Sequence, residues 1–204
     1  MGFTAFLVDD DPGVLKALSR IVRTASYDCR AYVSAADFLR DHDPAVPGCA
    51  VLDLYMPEFD GLELQRRLAT LGASRPIVFL SGAGDIPTSV RAMRAGAIDF
   101  LTKPINRDDL LAAIARAEQY DTIERHLQCE RQSADNKLAE LTPREREVMT
   151  HVVAGRLNKQ IAASLGTVEK TIKVHRGRMM AKLGIRSVAD LVRFAELAKV
   201  QPHH

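Results

Sequence analysis

The chain holds three cysteines, Cys29, Cys49 and Cys129, and no two are spaced as a metal-binding or redox pair. This argues against a disulfide framework and a thiolate zinc site, and a reducing, cytoplasmic location is expected. Long apolar runs are also missing: no stretch approaches the ~20 residues that a membrane-spanning helix needs. The N-terminus has neither the basic stretch nor the apolar segment of a secretory signal. Met1-Gly2 is followed at position 6 by Phe6, where an acylation signal carries a hydroxyl residue, so N-terminal lipidation is not expected. Internal repeats and low-complexity tracts are absent, and from Ile105 to Thr142 there is neither glycine nor proline. His203 and His204 are set aside as a tag remnant.

What is present is 204 residues, 47% hydrophobic and 26% charged, enough for one large or two ordinary domains with real cores. The formal net charge of +2 conceals an asymmetry. Residues 1–120 carry 13 Lys and Arg against 16 Asp and Glu, a net of −3, whereas residues 141–204 carry 12 against 5, a net of +7. An acidic front and a basic back imply two domains, the second with a polyanionic partner. The expected division is a domain over 1–120, a helical linker over 121–140 and a second domain over 141–200.

In the first part, β-rich runs at Phe3–Val8, Cys29–Val33, Cys49–Leu54, Ile77–Leu80 and Ile98–Leu101 alternate with helical patterns. The helices are expected at Val14–Arg23 and near 35–41, 61–71, 85–95 and 106–118. Such alternation predicts an α/β fold, a five-stranded doubly wound parallel sheet covered on both faces. Ligands of such sheets bind beyond the carboxyl ends of the strands, where the strand order reverses. The glycine-free stretch lets the last helix run on, but Ile123, Leu127 and Leu138 are too sparse for a heptad seam. An exposed, partly helical connector is expected over 121–140. Beyond it, Thr142 and Pro143 open a helix, and a short helix, a tight turn near Leu165-Gly166-Thr167 and a basic helix follow. This is the order of a small all-α helix-turn-helix domain.

The run "FLVDDDP" places three acids at the end of the first strand. Asp11 before Pro12 is a helix N-cap, which leaves Asp9 and Asp10 unexplained. "VLDLYMP" puts Asp53 at the same sheet edge, "FLSG" adds Ser81 and "FLTKP" adds Lys103. Crowded carboxylates are costly unless a positive charge sits among them. A hard divalent cation such as Mg²⁺ fits oxygen donors, and cation, hydroxyl and ammonium together suit a phosphoryl group.

These motifs, with "SGAGD" between them, resemble the receiver domain of bacterial two-component response regulators over about residues 3–120. The resemblance implies a flavodoxin-like fold with Asp53 as phosphoacceptor from the phosphohistidine of a sensor kinase. Asp10, Asp53 and the Tyr55 backbone carbonyl would hold Mg²⁺, with Asp9 acting through water. Lys103, before a commonly cis proline, and Ser81 would bind phosphoryl oxygens. Phe100, on its own a core phenylalanine, would be the aromatic that turns inward when Ser81 moves.

Between Arg156 and Lys182 there are seven Lys or Arg and one acid, Glu169. The apolar positions Val168, Ile172, Met179 and Leu183 leave another helix face for a groove. "LTPRE", "NKQIA", "EKT", "KVH" and "KLG" resemble the LuxR/FixJ-type DNA-binding domain over about 137–200. By that resemblance Val168–Leu183 is the recognition helix. Lys170, Lys173 and Val174 would then face bases, and Lys159, Thr171, His175, Arg176, Arg178 and Lys182 would face phosphates. Gly177 departs from relatives with a long basic side chain there.

The implied protein is a phosphorylation-activated transcriptional regulator of the NarL/FixJ class, with DNA and a sensor histidine kinase as partners. It would form a homodimer when phosphorylated, with RNA polymerase as a further partner. A phosphatase reading is disfavoured because Tyr55 stands where haloacid-dehalogenase-type enzymes place a general acid, so an enzyme is not expected. The alternative is a constitutive DNA-binding regulator whose receiver is not controlled by phosphate.

Overall fold

The central strands are unbroken apolar runs because helices cover both faces of the sheet. In the computed structural model, which describes residues 2–57, 60–70, 75–82 and 86–203, β1 (Thr4–Val8), β3 (Gly48–Asp53) and β4 (Ile77–Ser81) are buried throughout. The edge strands β2 (Asp28–Tyr32) and β5 (Asp99–Thr102) are partly exposed. All five pair in parallel in the order β2-β1-β3-β4-β5. Gly84 and Asp85 of the "SGAGD" run lie outside the described residues.

Side chains alternate across the pleat. One set, including Leu7, Val51 and Leu80, packs on α1 (Pro12–Thr24) and the first turns of α5 (Arg107–Ala139) through Leu18, Val22, Leu110 and Ile114. The other, including Phe6, Leu52 and Phe79, packs on Phe38 of α2 (Ala35–Arg40), Leu64 and Leu68 of α3 (Gly61–Thr70) and Ala92 of α4 (Ile86–Arg94). Gly61 opens α3 where a Cβ would lie 2.7 Å from the Asp53 carbonyl oxygen. Only glycine allows this approach, and it sets the chain after β3 directly under the sheet edge.

The last helix of the first domain runs on as the expected linker helix: α5 is helical without a break from Arg107 to Ala139, 33 residues. Pairs at helical spacing support it, with Asp121 to Arg125 at 2.7 Å and His126 to Glu130 at 3.4 Å. The Arg125 guanidinium also donates to the carbonyls of Pro44, Ala45 and Val46. The chain divides into compact units Met1–Arg125 and His126–His204.

The second unit is helical: α6 (Pro143–Val153), α7 (Asn158–Ser164), α8 (Glu169–Leu183) and α9 (Val188–Leu197). Thr142 caps α6 in a reciprocal box with Glu145. Gly166, at φ +62°, makes the turn between α7 and α8. Val148, Met149, Ile161, Ile172, Met179, Leu183 and Leu191 form the core. On α9, Leu191 and Ala195 are buried while Val188 stays 40% exposed. His203 is engaged with this unit, since its N–H donates to the Thr150 carbonyl and its ring stacks on His151. Among the described residues no helix is long and apolar enough to cross a membrane.

Candidate functional site

The strand order reverses between β1 and β3, and the carboxyl ends of these two neighbours carry Asp9, Asp10 and Asp53. Asp9 and Asp53 are buried, and Asp10 is exposed. Lys103, just past β5, reaches across so that its ammonium lies 2.7 Å from Asp9 Oδ2 and 3.1 Å from Asp53 Oδ1. The other Asp9 oxygen accepts from the Asp11 N–H. Asp11 itself caps α1, accepting from the N–H groups of Gly13 and Val14. Asp9, one of the two surplus acids, is therefore held by a lysine brought from 94 residues away in sequence, whereas Asp10 faces solvent.

Burial pushes the Asp53 carboxyl above its usual range, and hydrogen bonding to Lys103 only partly offsets this. For Lys103 burial works against the charged form, but its bonds to Asp9 and Asp53 prevail and hold it above its ordinary value. One oxygen from each of Asp9, Asp10 and Asp53 lies within 4.8 Å of the others. An all-oxygen, net-negative donor set of this kind fits a small hard dication such as Mg²⁺.

Ser81 ends β4, fully buried, with its hydroxyl donating to the Gly82 carbonyl. The Ser81 carbonyl accepts from the Lys103 N–H at 2.7 Å, which ties the hydroxyl-bearing strand to the lysine-bearing one. The Lys103-Pro104 bond is cis. Phe100 is half-buried against the α3–α4 side of the sheet. Tyr55 is 59% exposed. Beside Lys103, a groove of about 240 Å³ opens between α1 and the chain after β5, lined by Val14, Ala17, Leu18, Ile21, Pro104 and Ile105.

In the second unit, Lys159, Lys170, Lys173, Val174 and Arg178 are exposed, and Thr171, His175 and Arg176 are partly so. Lys173 pairs with Glu169 one turn back at 3.1 Å, and Arg176 donates to Asn158 Oδ1. Lys182 is exposed too, but its ammonium is committed: it lies 2.7 Å from Glu145 and donates to the Glu140 carbonyl. Sequence reasoning missed Glu145 in this role, although an acid at the third position of a capped helix is a visible signal. It also missed His151, which is wholly buried. Arg156 Nη1 lies 3.2 Å from Nδ1 of His151, and Nε2 has no partner among the described residues.

Burial, then the neighbouring charges of His203 and Arg156, lower the pKa of His151. A depressed histidine stabilises the fold above its ordinary value of 6.5, and the contribution is lost as pH falls below it. Amide exchange across 143–197, corrected for the intrinsic exchange rate at each pH, should therefore accelerate as the pH falls below 6.5 in the parent. The acceleration should be much smaller in His151→Phe; equal pH sensitivity would assign the effect elsewhere.

An acidic pocket at a switch point, followed by a basic helix-turn-helix unit, defines a DNA-binding regulator with a signal-receiving domain. Residues 5–115 match the family model of the response regulator receiver domain, and residues 139–195 match that of bacterial regulatory proteins of the luxR family. The response regulator protein TmoT of Ectopseudomonas mendocina is 44% identical, over 95% of this chain and 88% of its own. The solved structure of the response regulator StyR superposes with a TM-score of 0.82 at 41% identity, covering 96% of this chain and 99% of that one. Full-length FixJ from B. japonicum does so at 0.59 and 34% identity, covering 97% of each. The chain belongs to the two-component response regulators of the NarL/FixJ type, which bind DNA and take their signal from sensor kinases.

Proposed function

We propose that this regulator is switched by phosphorylation of Asp53 by a sensor histidine kinase. The observation that carries the reading is the Lys103 ammonium poised between Asp9 and Asp53 at the switch point. A carboxylate oxygen of Asp53 attacks the phosphorus, and the donor imidazole departs. Lys103 then moves from carboxylate to phosphoryl oxygen, and the Ser81 hydroxyl exchanges the Gly82 carbonyl for another. Asp10, Asp53 and the Tyr55 carbonyl would hold Mg²⁺, with Asp9 acting through water, and the ion would supply positive charge to the phosphoryl oxygens when bound. Inward movement of Ser81 makes room for Phe100. This biases a pre-existing equilibrium of the α4–α5 surface toward a dimer.

On DNA, α8 enters the major groove with Lys170, Lys173 and Val174 at base edges. Lys159, Thr171, His175 and Arg178 meet phosphates. Arg176 and Lys182 join them from side chains that also hold Asn158 and Glu145. The protein acts in the cytoplasm, without enzymatic turnover of external substrates, and the bound dimer presents a surface to RNA polymerase.

The test is phosphoryl uptake from acetyl phosphate with Mg²⁺. One alkali-labile phosphoryl group per chain is expected, with uptake by Asp53→Asn reduced at least about 100-fold, as for loss of a reacting nucleophile. Equal uptake by both proteins would overturn the assignment.

A further inference from the structure

Gly177 sits in the middle of α8 with helical backbone angles, so no turn requires it. No close packing requires it either, because a Cβ built there meets nothing within 4 Å among the described residues. Glycine in a helix interior is destabilising relative to alanine. The residue therefore weakens this helix without repaying it inside the fold.

Its place on the helix gives the reason. Ile172, Met179 and Leu183 are the buried positions of α8. At 3.6 residues per turn, Gly177 and Val174 lie within about 40° of the direction opposite them. Both are exposed, Val174 at 45%, and the cations Lys173 and Arg178 flank them, also exposed. The face opposite the core thus carries, between Lys170 one turn earlier and the flanking cations, an isopropyl group and bare backbone. In the major groove the one apolar group on a base edge is the 5-methyl of thymine.

We infer that Val174 and Gly177 are specificity-determining residues of the DNA-binding helix. Val174 packs on a thymine methyl, and the missing side chain at 177 lets the backbone approach the base edges. The inference rests on the DNA-binding reading and adds how the site discriminates.

The test uses the full-length protein with Mg²⁺ and beryllofluoride, and a duplex recovered from a random-sequence pool. Replacing the contacted thymine by uracil should weaken binding about fourfold, the factor that one buried methyl group is worth. Val174→Ala should lose most of that discrimination. Gly177→Ala should raise the thermal midpoint, yet bind the selected duplex at least about tenfold more weakly, with binding to unrelated DNA unchanged. A Gly177→Ala protein that is more stable, binds as well as the parent and keeps its preference would overturn the inference. So would a recovered site indifferent to uracil. Failure of the parent to bind any DNA would instead overturn the reading beneath it.

Discussion

With Lys103 replaced by alanine, the receiver is expected to lose about 2–3 kcal/mol of stability at neutral pH. It should also bind Mg²⁺ about tenfold more tightly. The ammonium is the positive charge within 3.1 Å of both buried carboxylates. Without it, Asp9 and Asp53 face each other across a poorly solvated pocket. A dication then meets three uncompensated acids and no competing cation. Lowering the pH should narrow the deficit, because protonating one carboxyl relieves the repulsion. Denaturant unfolding with and without Mg²⁺ checks this. A variant as stable as the parent in the absence of metal would show that the lysine does not balance the pocket.

The second large effect is expected at Glu145→Ala. This carboxylate is 3% exposed and accepts from the Thr142 N–H and from Lys182. Removing it breaks the capping box and leaves a helix-terminal donor unpaired, a loss of about 2–3 kcal/mol. A small helical unit has only a few kcal/mol in hand, so the C-terminal unit should unfold well before the receiver. The bond from Lys182 holds the Glu145 carboxyl below its ordinary value of 4.5. Its contribution is present above that value and is lost as pH falls below it. The stability difference between parent and Glu145→Gln should therefore shrink in acid. Separate unfolding transitions measured by amide exchange check both statements; a C-terminal unit of unchanged stability in Glu145→Ala would contradict them.

How far the sequence foretold these features depends on the range of the interactions. The five strands were legible because each is a short β-rich run bounded by turn residues. Their carboxyl ends carried Asp9, Asp53, Ser81 and Lys103 in an order that the topology brings to one edge. The continuity of α5 was harder to read. Its sparse apolar residues signal exposure, while part of what secures it is the Arg125 bonding to the loop at 44–46, some 80 positions away. The pairing of Lys182 was hidden for the same reason, since Glu145 lies 37 residues earlier. A basic helix announces its charge in sequence, but not which cations are already committed. His203 was dismissed on composition, yet it stacks on His151.

The central claim is that phosphate on Asp53 switches the DNA-binding unit. The most direct measurement is molecular size together with DNA binding, in Mg²⁺, before and after adding beryllofluoride, in the parent and in Asp53→Asn. The account predicts a dimer with tighter, salt-sensitive DNA binding in the parent alone. Log affinity should fall with log salt at roughly 0.9 per phosphate contact. Equal size and equal affinity in all four samples would contradict it, and would leave a DNA-binding protein whose receiver answers to something other than phosphate.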